Sequence, residues 1–164
     1  MPSKPKVFRP SWMPSPEESR RQYDRNRGNY RERGYSKQWD ELKAWLVQLP
    51  EFALCVECSQ AGECTDHIVA MTYDNRTKQY GFKWAHLQQL VERFELGDPY
   101  QAFPNPANLQ RLCRNCHSAK TARFDGTGGH RPDTSASGLA KIEAMLVQAK
   151  ARAQAITQRM IGGQ

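Results

Sequence analysis

Residues 109–121, "LQRLCRNCHSAKT", place Cys113 and Cys116 in a C-x-x-C pair and set His117 directly behind the second sulfur. A short strand over "LQRLC" and a helix from about Asn115 fit this run, so one strand-to-helix junction presents all three side chains. C-x-x-C lets a single turn offer two sulfurs to a metal. Upstream, Cys55 and Cys58 form a second such pair, and together the four thiolates make the tetrahedral set that structural zinc takes. Four sulfurs fill that shell, which leaves His117 for a site of its own. Cys64 is the odd cysteine and reads as a small buried side chain.

The bulk composition frames this reading. With 164 residues and only 38% hydrophobic, the chain has length for one domain with a modest core plus extensions. No stretch approaches the roughly 18 to 20 consecutive apolar residues of a membrane helix. The opening "MPSKPKVFRPSWMPSPEESRR" contains no apolar leader segment. A cytoplasmic site of action is therefore expected, where structural disulfides are disfavoured and paired cysteines favour metal. The net charge of +7 is uneven: residues 1–35 hold nine Lys or Arg against four Asp or Glu. Such a stretch is either a phosphate-binding footprint or a solvated tail, and charge alone does not choose.

Four segments follow from the pattern. Residues 1–34, rich in Pro, Ser, Arg and Tyr, read as a basic flexible arm; Tyr23 and Tyr30 in it, and Tyr35 at its end, are interleaved with arginines. Residues 35–125 hold the motifs, 126–138 are a glycine-rich hinge, and 139–164 carry an amphipathic helix. In the second segment, Ser36 can cap a helix to about Leu49 with Trp39, Leu42, Trp45, Leu46 and Leu49 on one stripe. Trp39, Trp45 and Trp84 read as core. "TDHIVAM" (65–71) suits a strand, 72–80 a polar loop, 82–96 a helix, and "DPYQAFPNPAN" a loop. On the last helix, one face carries Leu139, Ile142, Met145, Leu146, Ala149, Ala153 and Ile156, fit to meet the body or a partner. His86 and His130 read as incidental.

A second constellation surrounds the spare histidine. Asp66 and His117 offer a hard oxygen and an imidazole, suitable ligands for one divalent cation with room for water and phosphate oxygens. His67 is a candidate general base, since a neutral imidazole accepts a proton near pH 7. Neighbours on a regular strand face opposite sides, so Asp66 and His67 can address one phosphate only if the strand twists or ends there.

The combined run "CVEC…TDHIV…NLQRLCRNCHSAKTA" resembles the HNH endonuclease family, specifically its phage-type members with a four-cysteine zinc staple, over about residues 33–123. The resemblance implies an α+β fold: a small ββα-metal core with the zinc site, flanked by helices and the basic arm. It implies metal-dependent cleavage of double-stranded DNA, leaving a 5′-phosphate and a 3′-hydroxyl. By matching positions, His67 is the base that activates water, and Asp66 and His117 are the metal ligands. Asn108 is the motif asparagine, which braces the hairpin loop and orients the base or, in some members, touches the metal. Arg111, Arg114, Lys120 and Arg123 would hold the DNA backbone without reading bases. The catalytic ion expected is Mg²⁺, with Mn²⁺, Ni²⁺ or Zn²⁺ as alternatives. Genes of this type accompany terminase in phages, so terminase subunits are expected partners and genome packaging the expected setting, in the host cytoplasm. Competing readings are a restriction- or homing-type HNH nuclease and a non-catalytic zinc-dependent DNA-binding module. Two departures stand out: Thr121 occupies a position that is histidine in colicin-type relatives, and residues 82–96 look like an insertion.

Overall fold

The computed structural model describes residues 13–27, 34–74, 76–126 and 131–162. Tyr30, His130, the side chain of Tyr23 and parts of the arm and hinge lie outside the described residues. Within the stretch read as an arm, α1 (Pro16–Arg27) forms. Its signal is local: Ser15 and Glu18 make a reciprocal capping box at 2.7 and 3.1 Å. Next, α2 (Lys37–Leu46) starts at Ser36, whose Oγ accepts the Trp39 N–H at 3.2 Å. It ends before the expected Leu49, and a 3₁₀ turn follows at Pro50–Phe52. Trp39 and Leu46 are buried, but Trp45 is 36% exposed, which corrects its placement in the core. Six residues on from Trp39, it lies about 240° around the helix.

Residues 65–71 do not form one strand. β1 (Cys64–His67) stops at His67: the Ile68 N–H still reaches the Asn108 carbonyl at 2.9 Å, but the Val69 N–H donates to the Asn108 side chain, at Oδ1, also at 2.9 Å. β2 (Met71–Asp74) and β3 (Gln79–Phe82) then make an antiparallel hairpin where a polar loop was expected. Tyr73 faces Tyr80 across it with ring centroids 4.9 Å apart, the aromatic cross-strand pairing that stabilises small sheets. The insertion helix is shorter than its apolar repeat suggested: a 3₁₀ turn at Ala85–Leu87 leads into α3 (Gln88–Arg93). The proline-rich stretch read as loop holds α4 (Pro99–Ala102), started by an Asp98–Gln101 capping box, and a 3₁₀ turn at Pro106–Asn108. Then come β4 (Leu109–Leu112), α5 (Arg114–Arg123) and the long α6 (Ala136–Gly162).

The fold is α+β, and its centre is β1 paired antiparallel with β4, followed at once by α5. Residues 68–108 are an excursion between the two paired strands. Two apolar clusters support this unit. One gathers Ile68 and Val69, the insertion residues Leu87, Leu90, Val91, Phe94 and Leu96, and Phe124 against Ile142, Met145, Leu146 and Ala149 of α6. The other joins Trp39, Leu46, Phe52, Phe103 and Leu109 to Ile156 near the end of α6. The apolar stripe of the last helix is thus spent on the body. Ion pairs Arg93–Glu143, Lys150–Glu95 and Lys141–Glu57 hold it there at 2.7, 3.1 and 2.9 Å. Among the described residues, no helix is long and apolar enough to cross a membrane.

Candidate active site and metal centre

The two C-x-x-C pairs meet. The Sγ atoms of Cys55, Cys58, Cys113 and Cys116 all lie within 4.8 Å of one another, with Cys58 and Cys113 at 3.6 Å. Thiolates on a tetrahedral zinc at about 2.3 Å stand roughly 3.8 Å apart, so the cluster has the dimensions of a metal site. Burial pushes the Cys55 thiol up, but backbone N–H groups of Cys113, Glu57 and Cys58 outweigh it and bring the thiol down to about 6. Cys116 is pushed up, first by its hydrogen bond with Cys113 and then by that with Cys58. Four sulfurs this close share protons unless a cation sits between them. Cys113 also caps α5, its Sγ accepting the Cys116 N–H at 3.5 Å.

One residue further, His117 has turned away from the sulfurs. Its Nε2 lies 3.7 Å from Asp66 Oδ1, and it is 38% exposed. Adjacent ligands on a six-coordinate ion with bonds of about 2.1 Å sit roughly 3 Å apart, and opposite ones roughly 4.2 Å. The observed gap falls between these values. An imidazole nitrogen and a carboxylate oxygen facing one another across it make a donor pair that fits a divalent ion.

Asp66 and His67 both border a cleft of about 670 Å³ shared with His117 and Arg111. Among the described residues β1 is paired on one side only, and the cleft runs along its open edge, so residues from both faces of the strand reach it. Strand alternation is kept: Asp66 turns toward α5 and His67 toward α2. Trp39 of α2 stacks on the His67 ring with centroids 5.1 Å apart and planes 15° apart. His67 Nε2 donates to the Phe103 carbonyl at 2.9 Å, because a carbonyl can only accept. In the neutral imidazole the remaining nitrogen, Nδ1, is then the proton acceptor. Burial pushes the His67 pKa down to about 4, which keeps this ring neutral around pH 7.

Asn108 is fully buried. Its Oδ1 accepts from Val69 N–H and its Nδ2 donates to the Ala102 carbonyl at 3.2 Å, so both ends brace the excursion that carries Phe103. These two hydrogen bonds tie the Asn108 side chain to the excursion.

The four basic residues expected to grip DNA divide. Arg111 lines the cleft and donates to Thr65 Oγ1 at 3.0 Å. Arg114 is exposed at the start of α5, paired with Glu63 at 3.2 Å. Lys120 is not on the surface. It is 4% exposed, because it follows His117 by three residues and shares the helix face turned toward β1. Its ammonium meets Asp66 Oδ2 at 3.0 Å, Asp125 Oδ1 at 2.8 Å and the His67 carbonyl. Burial would lower its pKa, but the Asp66 and Asp125 carboxylates outweigh that and raise it. Arg123 lies off the cleft, paired with Asp133 at 2.9 Å and resting on the Phe124 ring at 4.9 Å. Trp39, Phe103, Gln110 and Asp125 escaped the sequence reading as site residues. Gln110 stands directly opposite Asp66 in the β1–β4 ladder.

A curated protein of Lactococcus phage SK1, described as a probable HNH endonuclease, is 29% identical over 94 residues, spanning 52% of this chain and 78% of that relative. No family model matches the chain, and no solved structure matches it significantly. With two C-x-x-C pairs joined in one cluster, the chain is similar over about half of its length to a probable HNH endonuclease of a phage, and it has a small ββα core beside a four-cysteine site able to hold a structural metal.

Proposed function

We propose that this chain is a metal-dependent DNA endonuclease that nicks or cuts double-stranded DNA, with zinc in the four-cysteine site. One observation carries the reading: Asp66 Oδ1 and His117 Nε2 face each other at 3.7 Å beside a neutral, carbonyl-anchored His67 in one open cleft. Asp66 and His117 would hold a divalent ion, Mg²⁺ in the first instance, which would supply electrophilic stabilisation of the phosphate and of the departing 3′ oxygen. The chain's own residues do the rest. Phe103 holds the imidazole by Nε2, and His67 Nδ1 takes the proton from the attacking water. Trp39 covers one face of the ring and fixes its plane. Asn108 keeps the excursion folded so that the Phe103 carbonyl stays in place. Arg111 offers its guanidinium to the backbone along the cleft.

The phage source of the relative supports a phage or prophage setting. Partnership with terminase subunits in genome packaging rests on the motif resemblance alone. The test is cleavage of supercoiled plasmid with Mg²⁺, Mn²⁺ or Ni²⁺ by the wild type beside His67→Ala. Loss of the base is expected to slow cleavage by about 10² to 10⁴. Equal cutting by both proteins in every metal defeats the reading.

A further inference from the structure

The buried ammonium that the nuclease motif does not use directly sits behind the proposed ion site. Lys120 has three hydrogens and finds three acceptors: Asp66 Oδ2, Asp125 and the His67 carbonyl. Gln110 Nε2 also donates to Asp66 Oδ2, at 3.2 Å. Both donors thus fall on one oxygen of Asp66, and the other, Oδ1, is left facing His117 and the cleft. A carboxylate with one oxygen held in this way cannot rotate away from the ion.

An ammonium 3.0 Å from a ligand carboxylate raises an electrostatic difficulty. Alone, it would cancel the charge that attracts a divalent cation and would repel the cation itself. Asp125 is the answer to it. Its carboxylate touches the same ammonium through both oxygens, at 2.8 and 3.0 Å. One cation between two anions leaves the group at −1, the charge of a single free carboxylate. The Asp125 backbone carbonyl in turn accepts from Lys83 Nζ and, at 3.2 Å, from Trp84 Nε1, so the excursion fixes this residue.

We propose that Lys120 and Asp125 are positioning residues: the lysine locks Asp66 with one oxygen toward the cleft, and Asp125 offsets the lysine's charge so that the cleft still attracts a divalent cation. This rests on the reading of Asp66 and His117 as the ion site. It makes a charge-counting prediction that a purely structural role does not. Asp125→Asn leaves the group neutral, whereas Lys120→Met/Asp125→Asn returns it to −1.

The experiment measures Mn²⁺ binding to the zinc-loaded full chain by electron paramagnetic resonance, for wild type, His117→Ala, Asp125→Asn and the double variant. Circular dichroism and zinc content report folding. Asp125→Asn is expected to bind Mn²⁺ at least tenfold more weakly, and the double variant to recover part of that loss, staying about three- to fivefold weaker than wild type because the lock on Asp66 is gone. If Asp125→Asn fails to fold, the folded double variant decides alone: a loss of about three- to fivefold is expected, equal affinity overturns the lock, and a loss of about tenfold or more overturns the charge balance. Wild-type binding that His117→Ala leaves unchanged overturns the ion site and this inference with it. Binding that His117→Ala abolishes, while Asp125→Asn matches wild type or the double variant stays as weak as the single, overturns the charge-balanced brace alone.

Discussion

Cys113→Ser separates two jobs that one side chain performs. Cys113 Sγ belongs to the four-sulfur cluster, and it also caps α5 by accepting the Cys116 N–H. Serine is among the strongest helix-capping residues, so the substitution deletes a metal ligand yet keeps, and improves, the cap. The sign of its effect must therefore depend on metal. With free zinc about a thousandfold above the dissociation constant, binding stabilises the wild type by roughly 4 kcal/mol. Losing one of four ligands forfeits most of that. At about 2 to 4 °C per kcal/mol for a chain of this size, Tm in zinc should fall by roughly 8 to 16 °C. In chelator the ligand no longer matters and the better cap remains. The variant should then melt about 2 to 4 °C above metal-free wild type, for a gain of about 1 kcal/mol. The assay is thermal denaturation followed by circular dichroism, under reducing conditions, in excess zinc and in excess chelator. Cys116→Ser, which removes a sulfur without changing the capping residue, should lose stability in zinc and gain nothing in chelator. Equal melting of wild type and Cys113→Ser in zinc, with equal bound metal, would refute the four-thiolate site. A variant that melts below wild type in chelator would refute the capping argument.

Asn108→Ala leaves the buried Val69 N–H and Ala102 carbonyl without their partners, at about 1 to 3 kcal/mol each, so urea denaturation should show a loss of roughly 2 to 6 kcal/mol. A loss below 1 kcal/mol means that the asparagine does not brace the excursion. Arg111→Ala should weaken DNA binding and flatten its dependence on salt by about one charge, because Arg111 lines the cleft. Arg123→Ala, paired with Asp133 off the cleft, should leave that slope unchanged, and equal slopes for the two variants would remove the cleft as the DNA path.

The sequence by itself determined the chemistry available and the junction that carries it. The pairs Cys55/Cys58 and Cys113/Cys116, the adjacent Asp66 and His67, and the strand-to-helix run at 109–121 were all legible. Metal ligands must be particular residue types, and a C-x-x-C turn is set by local backbone geometry. The spare status of His117 followed from ligand count, and the structure turns it toward Asp66. Local pattern failed where a local signal was weak or outweighed: the Tyr73–Tyr80 hairpin lay within a polar stretch, and the strand through 65–71 was cut by Asn108, about 40 residues away.

Only the tertiary structure decided which side chains surround the chemistry. Lys120 looked like a surface cation because lysine normally is one. Its burial depends on two carboxylates, one of them on β1 and far away in sequence. Trp39 and the Phe103 carbonyl flank His67 from 28 residues before it and 36 after it, and no periodicity encodes such contacts. The insertion and the last helix each show an apolar stripe, yet their pairing in one core is a matter of shape. The physical reason is common to all these cases. Propensity, capping and ligand spacing act within a few residues, whereas the compensation of buried charge and the filling of a core are settled only when distant segments meet.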